Sequence, residues 1–107
     1  MTERLLHHPR LAWEGARVIV RALESDRLYG WLNHRLGALF GPPYQQALSD
    51  SFNRLWWTER VDAPQAEAGL WRARLADALA REPHLAEPLQ ELIHEATARL
   101  AEPPVAG

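Results

Sequence analysis

The sequence predicts an all-α fold, a compact bundle of four or five helices, on two observations. Apolar residues recur near the 3.6-residue period of a helix in five segments, and proline and glycine separate these segments. No window alternates apolar and polar residues as a half-buried strand would. For 107 residues we expect one helical domain over residues 1–101, followed by a flexible tail or linker start over 102–107.

The first two helices are predicted on either side of Ser25. The first runs from Pro9 or Arg10 to Leu23, because proline suits a first-turn position. Ser25 is an N-cap candidate for the second, which continues to about Leu39. The core stripes are Leu11, Gly15, Val18, Ile19 and Ala22 in the first helix and Leu28, Leu32, Leu36 and Leu39 in the second.

The third helix begins near Pro43 or Tyr44, after Gly41-Pro42-Pro43 ends the second. Residues 49–51, Ser-Asp-Ser, have low helix propensity, so we expect them to weaken its middle. Its core stripe is Tyr44, Leu48, Phe52 and Leu55.

Prolines also mark the last two helices. Asp62 and Gln65 have capping-box spacing at the start of the fourth helix, which runs to about Arg81. The fifth helix follows Pro83, and Pro88 either kinks it or marks its true start. The core stripes are Trp71, Leu75, Ala78 and Leu79 in the fourth helix and Leu85, Leu89, Leu92, Ile93, Ala96 and Leu100 in the fifth.

Composition excludes several function classes. The chain has no cysteine, hence no disulfide or thiol nucleophile, and this suits a reducing, cytoplasmic location. Twelve basic residues, all Arg, against 14 acidic ones give a net charge of −2, which disfavours nucleic-acid binding. We expect no membrane span, because no apolar run approaches the required length, and residues 1–10 lack an apolar signal segment.

No catalytic motif is present, and we therefore predict a protein that is not an enzyme and needs no cofactor. The serines lie outside any Gly-x-Ser-x-Gly turn, and there is no glycine-rich phosphate loop. The one metal-like spacing is Glu91-x-x-His94. Both residues lie opposite the apolar stripe of their helix, so we expect them to face solvent unless an oligomer brings two copies together.

Five tryptophans are the least ordinary feature of the sequence. Trp71 lies on a core stripe, and Trp31 and Trp56 flank theirs, which predicts structural roles. Trp13 shares a second apolar strip with Ala16 and Val20, and Trp57 lies roughly opposite the core stripe of the third helix. Either these two helices are covered on both sides, or Trp13, Val20 and Trp57 contact a partner.

Charge is distributed unevenly along the chain. Residues 1–35 carry six Arg and four acidic residues, whereas residues 82–107 carry five Glu and one Arg. Such runs are either solvated faces or complementary contact patches. In the second case, we expect basic and acidic rows from two molecules to meet head to tail, closing a ring or forming a filament. The rows are Arg17 and Arg21 on the first helix and Glu87, Glu91 and Glu95 on the fifth.

A series of packing residues from Trp31 onward resembles a group of small actinobacterial helical proteins. The matching residues are Trp31, Leu39-Phe40-Gly41, Leu48 to Leu55, Trp71 to Leu75, Leu79, Pro83, Leu89 and Leu92. These proteins are similar to the effector-associated, death-fold-like adaptors of bacterial conflict and signalling systems. The resemblance implies a short helical domain that couples to partner proteins by like-with-like contacts.

The sequence therefore favours a protein–protein interaction module that binds itself or a partner protein. The main alternative is an oligomeric helical domain that contributes a metal site through Glu91 and His94 or assists an enzyme. Two weaker alternatives are membrane-surface association through Trp and Arg and a helix-turn-helix DNA-binding regulator. The latter would use Arg10, Arg17, Arg21, Arg27 and Arg35.

Overall fold

The computed structural model describes residues 8–57 and 61–102, and these residues form five α-helices. A 3₁₀ turn, Pro83–Leu85, precedes the last helix. The all-α bundle of four or five helices is confirmed. The helices are α1 (His8–Leu23), α2 (Asp26–Phe40), α3 (Pro42–Trp57), α4 (Ala63–Arg81) and α5 (Ala86–Ala101).

The first turns of α2 and α4 lack the side-chain caps that the sequence predicts. Neither Ser25 before α2 nor Asp62 before α4 makes a side-chain capping hydrogen bond. Instead, the Leu28 N–H donates to the Ser25 carbonyl at 3.1 Å, and the Ala66 N–H donates to the Asp62 carbonyl at 3.0 Å. The predicted side-chain caps are therefore wrong, although both helices begin where expected.

Glycine and proline end and start helices as their backbone restrictions require. Gly41 ends α2 with φ +93°, a conformation that favours glycine, and its N–H donates to the Gly37 carbonyl at 2.9 Å. Pro88 lies in the first turn of α5, where the missing N–H costs no helical hydrogen bond. Pro88 thus marks the start of α5. Of the predicted tail, 102–107, only Glu102 is among the described residues.

The core surrounds α1, which packs against each of the other four helices. Ala12 and Ala16 are fully buried, and Gly15 is buried between them. A Cβ atom at Gly15 would lie 2.8 Å from Leu75 Cδ1 on α4 and 3.5 Å from Ile93 Cδ1 on α5. The small residues of α1 therefore let α4 and α5 approach its backbone closely.

The predicted leucine stripes form most of the buried core. It includes Leu11, Ile19, Leu28, Leu32, Leu36, Leu48, Trp71, Leu75, Leu79, Leu89, Leu92 and Ile93. In the described part of the chain, no helix has the length and apolar character needed to cross a membrane.

Removing a buried leucine side chain should destabilise the fold. Leu75→Ala should lower the free energy of unfolding by about 2 to 5 kcal/mol, because it leaves a cavity between α1 and α4. The matched control is Leu70→Ala on the same helix, where nearly half the side chain is exposed and we expect a loss below about 1 kcal/mol. Urea unfolding measures both; equal losses would contradict the assigned core.

Candidate functional site

Three large apolar side chains are exposed where α3 meets the turn into α4. Trp56 and Trp57 are the last residues of α3, and Val61 lies in the turn before α4. The exposed fractions are 54% for Trp56, 85% for Trp57 and 94% for Val61. Because folding normally buries large apolar side chains, an exposed group of them is a candidate contact surface. We call Trp56, Trp57 and Val61 the aromatic corner.

A cleft of about 340 Å³ opens beside the aromatic corner. It lies between the end of α1, the end of α3 and the start of α4, and its described lining is apolar except for Glu24. An apolar side chain from another molecule can enter such a cleft, with a positive group facing the Glu24 carboxylate. The cleft is lined by Leu23, Glu24, Leu55, Trp56, Val61, Ala63 and Pro64.

Ring contacts fix the position of Trp56. The centroid of the Phe52 ring, one turn earlier on α3, lies 5.6 Å from that of Trp56. Tyr29 on α2 stacks on Phe52 with a centroid distance of 4.7 Å. Trp56 therefore has the predicted structural role and, in addition, an exposed surface. Its ring packs on Phe52, but more than half of the side chain is exposed because it lies in the last turn of α3.

A buried polar network holds the second half of α3 against α4. The Ser51 hydroxyl donates to Glu67 Oε1 at 2.7 Å, and Trp71 Nε1 donates to Ser51 Oγ at 2.9 Å. Arg54 donates twice to the Glu67 carboxylate, from Nε to Oε2 at 2.5 Å and from Nη2 to Oε1 at 2.9 Å. Because each buried polar atom of the network has a partner, the network tolerates burial and fixes α3 on α4.

The sequence alone does not indicate this network. It predicts that Ser51 weakens α3, whereas α3 is uninterrupted and the Ser51 hydroxyl is fully buried between helices. It assigns no role to Glu67, which is also buried. One signal was available: Glu67 lies one turn before Trp71 and therefore on the core face of α4.

The network keeps the Glu67 carboxylate ionised. Burial raises the pKa of Glu67, but hydrogen bonds from Arg54 and Ser51 outweigh burial and lower that pKa below its usual value. The Arg54 and Arg74 charges lower it further. The bond to Glu67 in turn raises the pKa of Arg54. The site is therefore a charged pair with one buried end, since about half of the Arg54 side chain reaches solvent.

A second surface lies along the exposed side of α1. Trp13, Arg17 and Arg21 follow one another at one-turn spacing and share a face of the helix. Trp13 is 44% exposed, and the Arg72 guanidinium carbon lies 6.0 Å from its ring centroid. Arg17 and Arg21 are exposed, and no acidic side chain in the described part of the chain pairs with either.

A groove of about 270 Å³ lies between α1 and α5. The groove brings Arg17 and Arg21 together with His94; Glu91 lies one turn before His94 and Glu87 one turn before Glu91, and both are exposed on α5. It is lined by Glu14, Arg17, Val18, Arg21, Ile93, His94 and Thr97. We call Trp13, Arg17, Arg21, Glu87 and Glu91 the α1–α5 face.

Val20 does not belong to an exposed strip with Trp13. Both Ala16 and Val20 are buried. The reason is that α1 packs against each of the other four helices, so its second apolar strip is covered as well. Val20 is thus a core residue rather than an exposed contact residue. Neither the cleft beside the aromatic corner nor the groove between α1 and α5 is lined by both Trp13 and Trp57.

Glu95 is paired within the chain and does not extend the acidic row. Its carboxylate accepts hydrogen bonds from Arg35 of α2 and from Arg99 Nη2 at 3.1 Å. Both guanidinium carbons also lie over the Trp31 ring, 5.5 Å and 4.5 Å from its centroid. Hydrogen bonds from Arg35 and Arg99 lower the pKa of Glu95. This cluster ties α2 to α5, which is a structural role.

Glu91 and His94 are exposed on α5, as the sequence predicts. Within residues 8–57 and 61–102, no three side chains of His, Cys, Asp or Glu lie close enough together to hold a metal ion. Comparison with known proteins found no matching family model, no matching curated protein and no matching solved structure.

Ser51→Ala should destabilise the fold by about 1 to 3 kcal/mol, because it leaves the buried Trp71 N–H without an acceptor and takes one donor from Glu67. Ser49→Ala, two residues earlier and outside the network, is the matched control and should cost less than about 0.5 kcal/mol. Urea unfolding gives both values. Similar costs at the two positions would mean that the network contributes nothing.

Acid should remove the contribution of Glu67 to stability. Because folding lowers the pKa of Glu67, its ionised form stabilises the fold above the usual value of 4.5, and this stabilisation is lost as the pH falls through the lowered pKa. Urea unfolding of wild type and Glu67→Gln across pH should give a stability difference that is largest near neutrality and narrows below pH 4.5.

The control for the acid experiment is Glu102→Gln, which changes an exposed carboxylate outside the network. Its stability should follow that of the wild type at each pH. A wild-type advantage over Glu67→Gln that does not narrow in acid would contradict the assigned role of the ionised carboxylate.

Proposed function

We propose that this chain is a non-enzymatic protein–protein interaction module, a cytoplasmic adaptor or scaffold of a bacterial signalling or conflict system. In this proposal the aromatic corner contacts the partner protein. The observation that carries it is the exposure of Trp56, Trp57 and Val61 at a cleft that Trp56 and Val61 line. The resemblance to death-fold-like adaptors supports the class of function, and the lack of cysteine suits the location.

Burying the aromatic corner in an interface would be favourable. Each Å² of apolar surface removed from water contributes about 25 cal/mol, and tryptophan is enriched among residues that dominate binding energy. A partner chain with an apolar side chain for the cleft and a basic residue for Glu24 would match the lining. The same corner left in water promotes non-specific association.

The buried network supports this function by holding the corner in place before a partner arrives. Arg54, bonded to Glu67 on α4, is less than one turn from Trp56 and Trp57. Phe52 supports Trp56 from the preceding turn. A preformed contact surface loses less conformational entropy on binding than a mobile one.

Site-specific photocrosslinking in the cells that make the chain tests the proposal. A photoreactive phenylalanine replaces Trp57 in one version and Ala80, which is exposed near the far end of α4, in the other. We expect a discrete adduct with another protein from position 57 and none from position 80. Equal labelling at the two positions, or no adduct at position 57, would overturn the proposal.

The crosslinked partner then allows a quantitative prediction. Trp57→Ala should weaken its binding by about 2 kcal/mol or more, because a buried tryptophan anchor is lost. It should change the free energy of unfolding by less than about 0.5 kcal/mol, since Trp57 is 85% exposed. Calorimetry measures the first quantity and urea unfolding the second. The matched control is Trp13→Ala, which removes a tryptophan from the other surface and should retain partner binding.

A further inference from the structure

The α1–α5 face carries two rows of opposite charge that the fold leaves unpaired. Arg17 and Arg21 lie one turn apart on the exposed side of α1, and Glu87 and Glu91 lie one turn apart on the exposed side of α5. No ion pair or hydrogen bond among the described residues engages any of these four side chains. Both rows are therefore available to another molecule.

Both rows lie on the two helices that form one groove. Arg17 and Arg21 line it from α1, and His94 lines it from α5, one turn after Glu91. Two patches on one face can be exchanged by a single two-fold axis, so each patch of one copy meets the opposite patch of the other. Patches on opposite sides of a molecule can meet only head to tail. The shared groove therefore favours a closed, two-fold contact.

The balance of charge favours a second copy over other partners. Arg17 and Arg21 would attract a purely acidic partner, but Glu87 and Glu91 would repel it. A second copy presents two acidic and two basic side chains to the same four, so both rows are paired. Trp13, one turn before Arg17 and 44% exposed, supplies an apolar anchor on the same face.

We propose that the α1–α5 face binds a second copy of this chain and closes a two-fold dimer. Arg17 and Arg21 of each copy pair with Glu87 and Glu91 of the other. This arrangement differs from the head-to-tail ring or filament expected from the sequence, because both rows lie on the two helices that form one groove. The dimer uses a surface separate from the aromatic corner and does not depend on the proposed partner binding.

Sedimentation equilibrium of the full chain tests the dimer. At low ionic strength the mass should reach twice the chain mass of 12.2 kDa and stop there as concentration rises. The dissociation constant should increase with salt, because exposed pairs are screened beyond about 8 Å at physiological ionic strength. Trp13→Ala should raise it at least about tenfold.

Charge reversal tests the pairing itself. The double variants Arg17→Glu/Arg21→Glu and Glu87→Arg/Glu91→Arg should each raise the dissociation constant at least about tenfold. Mixed in equal amounts, the two should form a heterodimer, because the reversed rows match. The control Arg27→Glu/Arg81→Glu makes the same change in net charge as the arginine reversal but lies elsewhere, and should leave the dimer intact.

Three results would overturn the inference. They are a monomer at all concentrations in low salt, a dimer unaffected by either double reversal, and an assembly whose mass keeps growing with concentration. Circular dichroism of each variant checks that it is folded. The mixing experiment adds a second check, because only folded variants can restore association. Trp57→Ala should leave the dimer unchanged, so that failure of the dimer and failure of the aromatic corner are distinguishable.

Discussion

The burial of the Glu67 carboxylate constrains how α3 and α4 can pack. Removing a carboxylate from water costs several kcal/mol unless hydrogen bonds and an opposite charge compensate for it. Ser51 and Arg54 on α3 provide both, and the Trp71 indole requires the same Ser51 oxygen. Sliding α3 by one turn would leave the carboxylate and the indole N–H unsatisfied. The network thus favours one register, and this register places Trp56 in the lining of the cleft, with Trp57 as the next and last residue of α3.

The position of α1 determines the other surface. Gly15, with Ala12 and Ala16, lets Leu75 and Ile93 approach the α1 backbone, so α1 is covered on two sides. Only the remaining side of α1 reaches solvent, and its exposed residues follow one another at one-turn spacing. Because α5 packs against α1, the basic row of α1 lines a groove whose other wall is α5, the helix that carries the acidic row. The small residues of α1 allow α5 to pack closely against it, and this packing brings a helix with a basic row beside a helix with an acidic row.

Much of the fold could be predicted from the sequence, because leucine periodicity reports which side of a helix is buried and proline reports where helices start. Contacts between side chains of different helices could not be predicted from this periodicity. Val20 looks exposed until the helices around α1 are placed, and Glu95 looks like surface charge until Arg35 of α2 is placed beside it. Ser51 and Glu67 are polar residues whose propensities favour solvent, and only their mutual contact explains their burial. For the candidate surfaces, Trp57 and the Arg17–Arg21 row follow from helical position, whereas the cleft and the shared groove depend on packing between helices.

The fold divides its tryptophans between the buried interior, where Trp71 lies, and the exposed surface, where Trp57 lies. Hydrogen exchange of the five indole N–H groups, followed by two-dimensional NMR of the ¹⁵N-labelled full chain, tests this claim most directly. Trp71 Nε1–H is buried and donates to Ser51, so its hydrogen should exchange only when the protein unfolds. Trp57 is 85% exposed, so its indole hydrogen should exchange in the folded protein. Trp57 protection equal to that of Trp71 would contradict the account, because such a side chain would not be available to a partner.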